Sequence, residues 1–168
     1  MASGFSPPSC RSCTATMKRG IASRHTISTG QLKAFHTCST LPEGFDGSQN
    51  TCADIEITRD GRHVHASNRG HNSIAGFSVD TKTGKLTSIG EFSTGNTPRS
   101  FNLDSDNHWM VAAGQRSHDL HVHKRDDTRQ PKTDPSATHW PRTVWVQFIP
   151  RDSQVAQILA LTSVGVIP

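Results

Sequence analysis

No run of 18 apolar residues occurs anywhere in the 168-residue chain, and no apolar core of a secretory leader opens it. The first absence excludes a transmembrane helix, so no membrane partner is expected. Lys and Arg outnumber Asp and Glu by 18 to 14, yet they form no run of five or six. Nucleic-acid binding needs clustered cations, so no nucleic-acid partner is expected either. Cysteine is scarce, occurring at Cys10, Cys13, Cys38 and Cys52. The CRSC formed by the first two is a lone CxxC with no second pair at ligand spacing, and a closed zinc site needs about four ligands. A Gly-rich phosphate loop and a GxSxG elbow are both missing, which leaves a serine-hydrolase mechanism without support. Residues 1–42 contain no Asp or Glu while carrying Arg11, Lys18, Arg19 and Arg24. That composition is similar to a mitochondrial transit peptide. The segment has no amphipathic period, so a misplaced start or a reading-frame error is the favoured explanation.

Apolar residues are few, at 32%, and the mean hydropathy is -0.55. Ordering a residue costs roughly 1–2 kcal/mol, so a polar chain folds only where its apolar residues are concentrated. They are concentrated mostly from Ala53 to Val122. Within that span the sequence repeats. At an ungapped offset of 46, Ile55 meets Phe101, Ile57 meets Leu103, Asp60-Gly61 meets Asp106-Asn107, and HVHA from His63 meets WMVA from Trp109.

Each unit alternates apolar and polar residues in short runs divided by turns. ADIEI, RHVHAS, SIAGFSV and KLTSIGEFST read as strands, and TRDG and DTKTG as turns whose Gly is free to take positive φ. Four short antiparallel strands in about 46 residues make one β-propeller blade. A third unit opens near Trp145, at an offset of about 45, one short of the period.

The expected fold is therefore all-β, a partial β-propeller. It has about two four-stranded antiparallel blades and a partial third, flanked by irregular or disordered ends. The expected divisions are an irregular segment over 1–35, two blades over 36–127, an irregular segment over 128–143, and the partial third blade and tail over 144–168. Blades pack face to face in a ring of typically 4–8, so a chain of two or three exposes apolar faces and is expected to self-associate through them.

The stretch LPEGFDGSQNTCADIEITRDGRHVHASNRGHNSIAGFSVD resembles the lactonase family of seven-bladed β-propellers, which includes propeller-type 6-phosphogluconolactonases and carboxymuconate-lactonizing enzymes. STGNTPRSFNLDSDNHWMVAAGQRSHDLHVHKRDD and WVQF extend the resemblance, which covers residues 36–127 well and 144–152 weakly. It implies that this chain is similar to the C-terminal portion of a complete member. It also implies hydrolysis of an anionic sugar lactone in the cytoplasm, without a cofactor. The proposed catalytic set of the family is a His, a Glu and two Arg near the central channel. One Arg lies in a motif like TPRSF, so its counterpart is Arg99, as anion clamp or oxyanion stabiliser. The other three resemble positions in blades outside this chain. A surface arginine at a strand start is the plainer role for Arg99.

Arg69 and Gln115 occupy equivalent repeat positions after the second strand, with Asn68 beside Arg69. These three are the candidate substrate-binding residues, and turn-capping polar residues are the alternative. The H-x-H pairs His63/His65 and His121/His123 place two rings on one strand face. No carboxylate spacing completes a metal site, and both pairs read as strand substitutions. Glu43, in LPEGF, reads as a loop carboxylate. Two alternatives to the lactonase reading remain: a non-catalytic interaction module and an inactive gene fragment.

Overall fold

The computed structural model describes residues 11–15, 21–26, 32–125, 131–133, 138–139, 143–149, 157–162 and 165–167. They form four antiparallel sheets in chain order. The first contains β1 (Arg11–Ala15), β2 (Ile21–Thr26) and β3 (Leu32–Cys38). The second contains β4 (Cys52–Ile57), β5 (His63–Asn68), β6 (Ser73–Val79) and β7 (Leu86–Ser93). The third contains β8 (Pro98–Leu103), β9 (Trp109–Gly114) and β10 (Asp119–Arg125), with β11 (Pro131–Thr133) and β12 (Thr138–His139) both pairing with β10. The fourth contains β13 (Thr143–Ile149), β14 (Gln157–Thr162) and β15 (Gly165–Ile167).

Each sheet is a meander, and the sheets pack face to face. Strands β4, β8 and β13 stand side by side along one edge, with β1 beside β4. Residues alternate between the two faces of a strand, so each central sheet contributes to two apolar layers. Val64, Ala66, Ala75, Phe77 and Leu86 pack with Cys38 between the first and second sheets. Ile74, Phe101, Met110 and Ala112 fill the layer between the second and third. Val111, Ala113 and Leu120 meet Val146 and Phe148 between the third and fourth. A sheet buried on both faces by neighbouring sheets, with the first strands along one edge, is the blade arrangement of an unclosed propeller.

The expected blades are present and their turns behave as the repeat requires. Gly61 has φ +68° and its repeat partner Asn107 has φ +59°. Asn is among the few non-Gly residues that tolerate the left-handed region, so the two turns keep one geometry with different side chains. Polar side chains on the first strands cover the free edge of the next blade. Asp54 Oδ2 accepts the Phe101 N–H at 3.2 Å, and Ser100 Oγ accepts the Val146 N–H at 3.4 Å. Unpaired strand edges invite association, and these contacts close them.

Strands extend beyond the two complete blades. Residues 1–35 contain β1 and β2 and the start of β3, and residues 128–143 contain β11, β12 and the start of β13. An antiparallel ladder is built from backbone groups, so a chain with few large apolar residues can complete one beside an apolar neighbour. The outermost position of the third sheet is split into two short pieces, paired at His123–Arg125 and at Asp119–Leu120. Pro131 opens the first piece and cannot donate to the ladder, which confines it to an edge. Among the described residues, no helix is long and apolar enough to cross a membrane.

Candidate functional site

The first strands of the second and third blades begin at the edge where the β5–β6 and β9–β10 turns lie. Arg69 N–H donates to Thr51 O at 2.8 Å, and Gln115 N–H donates to Thr97 O at 3.1 Å. The two bonds are one repeat apart, so Arg69 and Gln115 do hold equivalent positions. Between these turns runs a groove of about 640 Å³. Thr51, Arg69 and Asn72 line it from one blade, and Asn96, Thr97 and Arg116 line it from the next. The Arg69 Nε donates to Thr51 Oγ1 at 3.0 Å, which fixes the stem of the guanidinium. Asn72 Oδ1 accepts the Thr97 N–H at 2.9 Å and ties the two walls together. None of the lining residues is acidic.

Arg99 sits at the start of β8, where the register with β9 skips from Pro98↔Gly114 to Ser100↔Ala113. It is the extra residue of a β-bulge, a device that re-aims a side chain out of the ladder alternation. Its side chain is exposed, and none of the described groups accepts a hydrogen bond from its guanidinium. The bulge recurs in β4 between Cys52 and Ile55, and in β13 between Thr143 and Trp145. By repeat position its counterparts are Ala53 and Val144, so the arginine is particular to the third blade.

Asn68 is placed differently from the other three candidates. It is fully buried and its amide is consumed within the protein. Its Nδ2 donates to Thr40 O at 2.6 Å and Ser73 Oγ at 3.2 Å, while its Oδ1 accepts from Thr40 Oγ1 at 2.7 Å and Asn50 Nδ2 at 3.1 Å. Asn50 Oδ1 in turn accepts the N–H groups of Gly70 and His71, both at 3.0 Å. A Cβ on Gly70 would lie 2.8 Å from Asn50 Cα, so only glycine lets the loop approach this closely. The Asn68–Asn50 pair therefore clamps the LPEGF loop against the turn that presents Arg69. The structure brings Arg69 to the groove, sets Gln115 half-buried behind its wall, leaves Arg99 exposed at the adjoining strand start, and turns Asn68 inward.

His65 and His123 are fully buried on β5 and β10, and neither ring nitrogen of either has a partner among the described residues. Burial pushes the His65 imidazole down to about 3, assisted by Arg125 and His63. Burial likewise pushes His123 down to about 4, assisted by His121. Elsewhere, Asp104, Asp106 and His108 bring ligand atoms within 4.8 Å of one another in the β8–β9 turn. Asp104 Oδ1 there accepts the Trp109 N–H at 2.8 Å, a turn-forming bond. On the wall of β4, burial and the neighbouring Asp54 raise the Glu56 carboxyl, partly offset by the amide of Asn102.

Sequence reasoning missed Arg116. The repeat groups residues at the same place in each blade, whereas a groove between blades draws on different places in two of them. Arg116 aligns with Gly70, so its position opposite Arg69 leaves no mark in the register.

Comparison with known proteins gives the fold a lineage. The chain is 39% identical over 98 residues to a 6-phosphogluconolactonase of Erwinia tasmaniensis, covering 58% of this chain and 29% of that protein. It is 35% identical over 132 residues to a 6-phosphogluconolactonase of Bacillus subtilis, covering 77% of this chain and 37% of that protein. A crystal structure of a Lactobacillus plantarum protein superposes with a TM-score of 0.78 at 29% identity, covering 83% of this chain and 42% of that one. The chain thus spans well under half the length of these relatives. The sequence pattern described as lactonase, 7-bladed beta-propeller, matches residues 19–148 and takes in all of β2 and β3, both complete blades and most of β13. Blade repeat, stacked sheets and sequence pattern agree, and the chain belongs to the lactonase family of seven-bladed β-propellers.

Proposed function

We propose that this chain is the C-terminal portion of a cytoplasmic lactone-hydrolysing propeller, acting on an anionic sugar lactone of the 6-phosphogluconolactone kind. The observation that carries the reading is Arg99, an exposed guanidinium set on a bulge at the edge where the groove opens. In the reaction, a water oxygen bonds to the lactone carbonyl carbon, and the carbonyl oxygen takes the negative charge. Collapse of that intermediate breaks the ring C–O bond, the ring oxygen receives the proton that the attacking water gives up, and the open-chain acid is released. Arg99 suits the oxyanion because a planar, permanently charged donor stabilises charge as it develops. Arg69 lies on the substrate side, Gln115 backs the groove through its bond to Thr97, and Asn68 supports the turn that carries Arg69. Arg99→Ala should lower the rate of lactone opening by roughly 10²–10³-fold, the usual cost of losing one oxyanion donor. Arg99→Lys should recover part of that loss. Equal rates for wild type and both variants would remove Arg99 from the mechanism.

A non-catalytic role in association has its own observation. On β13, Val146 and Phe148 pack against the third sheet, while Trp145 and Ile149 are 41% and 40% exposed. A second copy covering this face would bury Trp145 and Ile149 as a neighbouring blade would. Trp145→Glu with Ile149→Glu should then shift the chain to monomer in sedimentation equilibrium. A wild-type chain that is monomeric at high concentration would end this reading.

A further inference from the structure

Thr97 carries a backbone strain that the blade repeat does not require. Its φ is +59°, in the left-handed region. A β-branched side chain is a genuine outlier there, and a residue that precedes proline is pushed toward extended conformations. Thr97 meets both penalties, because Pro98 follows it. Its repeat partner is Thr51. The Thr51 carbonyl accepts the Arg69 N–H as the Thr97 carbonyl accepts the Gln115 N–H, and a bulge follows each threonine. Thr51 nevertheless has no positive φ. The bulge alone therefore does not demand the strain. The blade in which the strain occurs is the one whose bulge presents Arg99, where β4 has Ala53.

Strained residues persist only where their surroundings over-determine them, and they concentrate where pre-organisation serves a function. Thr97 is held from several sides. Asn72, reaching across from the second blade, accepts its N–H through Oδ1 at 2.9 Å. The Gln115 N–H donates to its carbonyl at 3.1 Å. Upstream, the Asn96 N–H donates to Ser117 Oγ at 2.7 Å, and the Asn96 carbonyl accepts the Arg116 N–H at 3.1 Å. Downstream, Pro98 is buried. Asn72 is itself at φ +57°, but so is its repeat partner His118, so that turn geometry recurs where that of Thr97 does not. Of these tethers, the Asn72 amide is the one that comes from the other blade.

We propose that Asn72 is a positioning residue for lactone opening: its amide oxygen locks Thr97 in the left-handed conformation, and the locked residue sets the path of Pro98 so that the bulge aims Arg99. Without that acceptor, Thr97 relaxes to the extended conformation that its branching and Pro98 both favour, and the guanidinium leaves its place. The inference rests on the lactonase reading for what Arg99 does, and on the backbone alone for how Arg99 is held.

Asn72→Ala should slow the opening of 6-phosphogluconolactone by the full chain roughly ten- to hundredfold, the cost of misplacing one catalytic group. Adding Thr97→Gly should recover most of that loss, since glycine takes positive φ without a clamp. In an Arg99→Ala background, Asn72→Ala should cost nothing further, because both changes remove the same group from its place. Full activity in Asn72→Ala, no recovery with glycine, or an undiminished loss in the Arg99→Ala background each overturns the proposal. NMR supplies a readout that needs no turnover. The backbone resonances of Pro98 and Arg99 should move in Asn72→Ala and return in Asn72→Ala/Thr97→Gly, and unmoved resonances also overturn the proposal. Resonances that move and return in a chain without turnover uphold the clamp and defeat the lactonase reading. Turnover that depends on Arg99, with resonances indifferent to Asn72, does the reverse.

Discussion

Lowering the pH from 7.5 to 5 is expected to remove about 4 kcal/mol of stability through His65 and His123 alone, about 2 kcal/mol from each. The alternation of β5 puts Val64 and Ala66 in one apolar layer and His65 on the opposite face. On β10, His123 pairs with Met110 and shares its face. Both rings therefore enter the layer between the second and third sheets, among Ile74, Phe101 and Met110, where burial disfavours the charged form. Folded, they stay neutral down to about 3 and about 4, against 6.5 for an exposed imidazole. The unfolded chain binds more protons wherever the pH is below 6.5, so the folded state loses ground as the pH falls from there. The loss grows until the folded-state values are reached and then levels off. At pH 5, about 1.5 pH units below the unfolded value, each ring contributes about 1.5 times 1.36 kcal/mol. Urea titrations of wild type and of His65→Leu/His123→Leu at both pH values check this. The double variant should lose markedly less stability on acidification. An equal loss in both proteins would mean that neither ring is buried as described.

Asn68→Ala should destabilise the fold by roughly 3 kcal/mol. The substitution strands Thr40 O and Thr40 Oγ1, and it frees the Asn50 amide that clamps the loop to the β5–β6 turn. Each buried group left without its partner costs about 1–3 kcal/mol. Gln115→Ala, at a half-buried wall position, should stay within about 0.5 kcal/mol of wild type. Denaturant midpoints distinguish the two roles open to Asn68. A variant as stable as wild type but unable to bind ligand would make Asn68 a ligand contact rather than a clamp.

Much of this architecture was legible in the residues. The offset of 46 predicted the strands of both complete blades, and it matched Gly61 with Asn107, which share a left-handed turn. The shorter offset at Trp145 also holds physically. The bulges after Pro98 and after Thr143 place Arg99 and Val144 in equivalent positions, 45 residues apart. What remained hidden depends on contacts between blades. Arg116 gains its place from the neighbouring blade. Asn68 looked like a polar residue at a strand end, and only its partners reveal that it is interior.

The most direct test is the rate of 6-phosphogluconolactone opening by the purified full chain, measured at pH 7.5 with the spontaneous rate subtracted. A chain whose own Arg99 and groove serve the reaction should turn over the lactone above background and lose that activity on Arg99→Ala. A rate equal to background, from protein shown to be folded, would contradict the account and leave a propeller portion that keeps the family's blades without its chemistry.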